Sequence, residues 1–231
     1  MRHAVAIETS GQVGSVALVE GDTILPEATF PHGLRHAAGL IPLIDRLCRA
    51  RDWSARDINE IYLSIGPGSF TGLRLAVTFA KTFALATGAK VVAVPTLSVL
   101  VENAPPEAAD VIVVLDAKRD QIFTARYTRA TPDQVWSQVE PAHVDTLAAM
   151  LARAPRPVVL LGEGIPFHRQ FIPADSGIDL SSEDSWRARA TTVARLGVTA
   201  SARGDFADVL RLAPTYIRLP EAEEKWAREM G

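Results

Sequence analysis

The stretch "LSIGPGSFTGLRLAVTFAKTFALATGAKVVAVPT", Leu63 to Thr96, constrains the fold more than any other part of the chain. A β-type apolar run ends in a turn built on two glycines and a proline. A helix follows, and then another apolar run, "AKVVAVPT". A strand, a tight turn, a helix and a strand in this order belong to an α/β protein. The polar residues of the helix, Arg74, Thr78, Lys81 and Thr82, form one narrow stripe. Leu73, Leu75, Val77, Phe79, Phe83 and Leu85 cover the rest. A helix apolar on most sides is buried on most sides. Its own sheet covers only one, so a second helix or a partner protein must cover another.

Upstream, "HAVAIETS", "GSVALVEGD" and "TILPEATF" are short apolar runs separated by glycine-containing turns, the pattern of an antiparallel meander. "LRHAAGLIPLIDRLCRARD" predicts a helix, with Leu34, Ala37, Ile41, Ile44 and Cys48 at helical spacing. Pro42 is expected to kink or split it. "DINEIYLSIGPGS" supplies the next strand, so the first part reads β-β-β-α-β-α-β. "PPEAAD", Pro105 to Asp110, is the expected boundary. The division is therefore a first half at 1–105, a smaller second half at 106–213 and a tail at 214–231. In the second half "DVIVVLDAKRDQIFTARYT" reads as a strand, a polar turn and a strand, and "RPVVLLGEG" as another strand. "SWRARATTVARLGVTASARG" predicts a helix with a glycine stop.

Length and charge narrow the function. At 231 residues the chain can bury a sizeable core. Its net charge is -3 with a pI near 6.0, so it lacks the basic excess of a protein that grips nucleic acid by itself. The single cysteine, Cys48, rules out an internal disulfide and fits a reducing, cytoplasmic setting. "MRHAVAIETS" lacks the apolar run of a signal peptide. The apolar helix carries Arg74 and Lys81, too much charge for comfortable membrane insertion.

Four groups of residues are candidates for chemistry. In "IETSGQVGSVAL", Glu8, Thr9, Ser10 and Gly11 form either a phosphate-binding hairpin or an ordinary Ser-Gly turn. In "GPGSFTGLR", Gly66 and Gly68 permit close backbone approach, and Ser69 or Thr71 suits a helix cap. The start of that helix is either an anion site or simply a capped turn. It is not a Walker loop, because the G-K-[ST] ending is missing. His32 and His36 are four residues apart, as a metal pair on a helix would be, but no third ligand follows at that spacing. Asp116 and Asp120 flank "AKR" and read as a cation-binding carboxylate pair or a charged hairpin turn. No Ser-His-Asp, Cys-His or CxxC arrangement is present.

These stretches together resemble the TsaB family, also called YeaZ. The resemblance rests on "AIETS…GSVAL" at 6–18, "RHAAGLIPLIDRL" at 35–47, "IYLSIGPGSFTGLRLAVTFAKTFALATGAKVVAVPTLSVL" at 61–100 and "VVLDAKRDQIFTARY" at 113–127. "GPGSFTGLR" is the most specific, and "PTYIR" at 214–218 extends the match. The resemblance implies the fold of the actin, Hsp70 and sugar kinase ATPases, with two ribonuclease-H-like halves and mixed sheets. It implies a scaffold that binds the threonylcarbamoyl-transferring subunit TsaD, joined by the ATPase TsaE, in modifying adenosine in tRNA. The chain would then have no catalytic residues, metal or cofactor of its own. ATP and a divalent metal would act in the partner subunits, and tRNA would be met through the complex. Glu8, Thr9, Ser10, Gly11, Gly66, Gly68 and Ser69 become a vestigial phosphate loop. Leu40, Ile44, Leu47, Leu75, Phe79, Lys81 and Phe83 become the partner interface, which would pair two copies when the partner is missing. Glu8 departs from the Asp usual at its place, and its extra methylene argues against nucleotide hydrolysis. Two other activities stand as alternatives: an independent ATPase or kinase using Glu8, Thr9, Ser10 and Gly68, and a glycoprotease-like peptidase, for which no nucleophile, base and metal set is present.

Overall fold

The computed structural model describes residues 1–31, 36–174 and 177–218. The chain runs β1 (His3–Glu8), β2 (Val13–Glu20), β3 (Thr23–Ile24), β4 (Ala28–Pro31), α1 (His36–Arg49), β5 (Glu60–Ser64), α2 (Phe70–Thr87), β6 (Lys90–Val94) and α3 (Thr96–Val101). It continues with β7 (Asp110–Asp116), β8 (Ile122–Thr128), β9 (Ser137–Asp145), α4 (Leu147–Arg153), β10 (Val158–Leu161), α5 (Ile165–His168), β11 (Ile178–Leu180) and α6 (Ala190–Ala202). The expected third strand is interrupted, and both pieces, β3 and β4, pair with β2.

Two units form. The first is Met1–Val99 with Arg187–Pro214, and the second is Leu100–Trp186 with the described residues from Thr215. The boundary expected at Pro105–Asp110 thus lies slightly upstream, and 187–213 does not belong to the second half. The reason is packing: α6 lies across β1, β2, β5 and β6. Beyond it, the Ala207 N–H donates to the Val91 carbonyl at 2.8 Å and Leu212 is buried in the first core.

The first sheet has the order β3-β2-β1-β5-β6 and the second β11-β10-β7-β8-β9. In each, the first strand is central. It pairs antiparallel with the second strand of its unit (β1–β2, β7–β8) and parallel with the fourth (β1–β5, β7–β10). Taking β3 and β4 as one broken third strand, both sheets read 3-2-1-4-5. The molecule is a mixed α/β protein of two ribonuclease-H-like halves, as the resemblance implied.

The register Ile7↔Leu63 and Leu63↔Ala93 places the ends of β1, β5 and β6 side by side, so the loops after them meet. Ala76, Ala80 and Ala84 are buried on one side of α2, where small side chains allow close seating on the sheet. The Ser69 Oγ accepts from the Gly72 N–H at the start of α2, and Gly88 ends it in the left-handed conformation. Helix α1 is not split at Pro42 but continues through it. Pro42 lies in the second turn on the exposed side, where its missing N–H costs only one solvent-side bond. Among the described residues, no helix is long and apolar enough to cross a membrane.

Candidate functional site

Strand β1 ends on Glu8, a charged residue fully buried beside Thr9, with Ser10 also buried. Burying a carboxylate requires hydrogen bonds. Ser10 supplies two of them: its backbone N–H and its hydroxyl both donate to Glu8 Oε1 at 2.5 Å. The turn then meets the glycine loop. The Ser69 N–H donates to the Ser10 carbonyl at 2.7 Å, and the Thr9 hydroxyl donates to the Gly72 carbonyl at 2.9 Å. Only glycine allows this approach: a Cβ at Gly72 would sit 1.9 Å from the Thr9 oxygen, and one at Gly68 would sit 2.5 Å from the Ser10 oxygen. Gly66 is tied to Thr96 at both its N–H (3.1 Å) and its carbonyl (2.9 Å). The residues read as a phosphate loop, Glu8 to Gly11 with Gly66, Gly68 and Ser69, are therefore neighbours. The Ser10 N–H and hydroxyl and the Ser69 N–H all donate to acceptors inside the protein.

The interface residues separate. Leu40 and Ile44 were expected on the outward surface, but they are 0% and 5% exposed and belong to the first core. The inward residues of α1 are Leu40, Leu43, Ile44 and Cys48, so Ile44 and Cys48 face the core as the sequence spacing predicted. Ile41 points out instead, at 53% exposure. Lys81 also turns to its own chain: its ammonium donates to the carbonyls of Leu210 (3.0 Å) and Leu212 (3.2 Å). The segment carrying Ala207, Val209 and Leu212 is thus one of the extra neighbours that α2 required. Its short apolar spacing in "FADVLRLAP" was the signal, hidden by assigning it to the second half. Leu47, Leu75, Phe79 and Phe83 are half-buried against the first core.

Between α1 and α2 a groove of about 630 Å³ remains, lined by Ile41, Ile44, Cys48, Trp53, Phe79 and Phe83 among others. The Phe79 and Phe83 rings lie 5.5 Å apart. Burial, helped by the Asp45 charge, pushes the Cys48 thiol up to about 11, so it is a packing group rather than a nucleophile at neutral pH.

In the second unit the "AKR" turn is more elaborate than a charged hairpin end. Lys118, Arg119 and Asp120 all have left-handed backbones, with φ of 63°, 56° and 55°. Non-glycine residues pay of order 1–3 kcal/mol each for such conformations. Asp116 accepts from the Lys118 N–H (3.0 Å) and ammonium (2.6 Å), and His168 Nε2 lies 3.3 Å away. Burial raises the Asp116 pKa, but those Lys118 and His168 contacts outweigh it and hold the carboxyl below its ordinary range. Asp116 is engaged by the Lys118 ammonium, and Asp120 is exposed. His168, 2% exposed, was missed by sequence reading because nothing local marks it. His32 lies outside the described residues, and His36 opens α1. Among the described residues no group of three or more His, Cys, Asp or Glu is arranged to hold a metal ion.

Residues 23–176 match the family model of TsaD, tRNA N6-adenosine threonylcarbamoyltransferase. The tRNA threonylcarbamoyladenosine biosynthesis protein TsaB of Bacillus subtilis is 32% identical over 226 residues, covering 96% of each chain. The chain belongs to the TsaB family. The TsaB of Escherichia coli is 30% identical over 128 residues, 54% of each chain. A solved structure of YeaZ from Pseudomonas aeruginosa superposes with a TM-score of 0.78, covering 94% of this chain and all of that one at 24% identity. That likeness covers the second unit as well as the first.

Proposed function

We propose that this TsaB-family chain serves tRNA threonylcarbamoyladenosine biosynthesis as a non-catalytic subunit, pairing with a TsaD-like protein across the α1–α2 groove. The names of the TsaB relatives support the pathway. The groove carries the interface: Ile41 stands 53% exposed at an apolar cleft whose far wall is Phe79 and Phe83. An exposed apolar patch beside aromatic residues marks a protein contact. In this reading ATP and a divalent metal act in the TsaD-like subunit and in a TsaE-like ATPase that joins it. The tRNA is engaged within the assembly, and two copies of this chain pair through the same groove when the partner is missing. The first-unit loop supports a non-catalytic role, since the Ser10 donors already hold the Glu8 carboxylate.

The decisive measurement is co-elution of the full chain with a TsaD-like subunit. Ile41→Glu should weaken pairing at least ~10-fold, the scale of an interface contact worth more than about 1.4 kcal/mol. The thermal midpoint should move by no more than about 2 °C, as for an exposed site. Undiminished pairing of the folded variant would place the interface elsewhere. An ATP turnover by the lone chain that collapses in Glu8→Ala would favour the independent ATPase.

A further inference from the structure

We propose that the Ala117–Gln121 turn of the second unit, together with Phe167, contacts single-stranded RNA: the cations take the phosphate chain and the ring takes an unstacked base. The inference rests on the proposed pathway only for which RNA is met, not for the site itself.

The turn is built to hold an unfavourable backbone while presenting its side chains. Three successive non-glycine residues, Lys118, Arg119 and Asp120, are left-handed, and all three are exposed. Such conformations persist only where the surroundings enforce them, and they gather at ligand-contacting positions. Here the enforcement comes from below. The Ala117 N–H donates to the Gln121 carbonyl at 2.8 Å, and the Gln121 N–H to the Lys118 carbonyl at 3.1 Å. The Arg218 guanidinium donates to the Ala117 carbonyl and to Gln121 Oε1. Asp116 fixes the Lys118 N–H and is itself met by buried His168. Gly164 lets the next loop press against Asp116, since a Cβ there would lie 2.7 Å from the Asp116 nitrogen. A turn needed only to reverse the chain would use glycine or asparagine at these positions.

The exposed chemistry suits a nucleotide strand. The Lys118 ammonium lies 5.4 Å from the centre of the Phe167 ring, which is 53% exposed, and Arg169 is exposed two residues further on. A cation held over a half-exposed aromatic ring brings together the two groups that single-strand binders use for phosphate and base. The Lys118 side chain remains 79% exposed while paired with Asp116, so its ammonium is still reachable from solvent. Asp120 is a repelling carboxylate in the same turn. With it, and with a net charge of -3, the lone chain should bind only in the ~10⁻⁴–10⁻⁶ M range of nonspecific contacts.

The test is fluorescence anisotropy of the full-length chain with a labelled single-stranded RNA and with an unmodified tRNA transcript, over a salt series. Lys118→Asn with Arg119→Asn keeps residues that tolerate the left-handed backbone. It should weaken binding roughly 10-fold and flatten the log–log salt slope by about 1.4, the loss of two phosphate contacts at ~0.7 each. Phe167→Ala should weaken binding about 5- to 100-fold with the slope unchanged, the signature of lost base stacking. Asp120→Asn should tighten it. The Ile41 groove is untouched, so these variants should still co-elute with the TsaD-like subunit. Wild-type RNA binding that is absent, or unchanged in the folded variants, overturns the proposal. So does a loss confined to free ATP, which would make the turn a nucleotide site.

Discussion

The two units place a hairpin turn beside a glycine loop at the same point of the same sheet topology, and they use it in opposite ways. In the first unit Glu8, Thr9 and Ser10 are buried, and their polar groups meet one another and the start of α2. In the second unit Asp116 is partly exposed, and Lys118, Arg119 and Asp120 are exposed. Strand order therefore decides where the loops gather, and loop residues decide whether that place is closed or open. The closed end stiffens the base of α2, one wall of the groove. The open end keeps charge at the surface.

The glycines at the two ends should respond most strongly to substitution. Gly72→Ala should cost about 3 kcal/mol or more in urea unfolding, because backbone, not a movable side chain, meets the new methyl at 1.9 Å. Gly164→Ala meets the Asp116 backbone nitrogen at 2.7 Å and should cost less, about 1–3 kcal/mol. An equal or reversed order would mean that the first end is not the tighter one. Next come the carboxylates. Glu8→Gln perturbs a buried acceptor of two Ser10 donors and should destabilise by about 1–3 kcal/mol. Asp116→Asn weakens a partly exposed cluster and should cost about 1 kcal/mol or less. The smallest effect is acid sensitivity of the open end. Asp116 has a lowered pKa in the folded protein, so its contribution is fully present above the unfolded value of about 3.9. It is lost as pH falls through the lower folded value. Backbone amide shifts of Ala117 to Gln121 should move in that acid window, and in Asp116→Asn they should not.

Much of the first unit was legible. Alternation, glycine turns and the all-round apolar helix are local signals, and they place β1, β2, α1, β5, α2 and β6 within a few residues. Ser69 was readable as a cap, since its hydroxyl needs only the next turn of helix. The rest was harder for physical reasons. The sequence of α1 places Ile41, Ile44 and Cys48 at helical spacing, and only contact with the sheet sets Leu40 and Leu43 inward beside Ile44 and Cys48 and turns Ile41 out. Strand β9 is exposed along most of its length and carries Pro141, so it shows no apolar alternation.

By itself the sequence determined the α/β class, the glycine-dependent junction before α2, and the need of that helix for more than one neighbour. These follow from side-chain periodicity and backbone sterics, which act over a few residues. Only the tertiary structure decided which neighbours those are. Lys81 is bound to carbonyls 129 and 131 residues away, a separation that no local pattern encodes. In the same way His168 reaches Asp116 across 52 residues. Long-range hydrogen bonds of this kind depend on how the sheets bring distant loops together, and that is a property of the fold rather than of any short stretch of the chain.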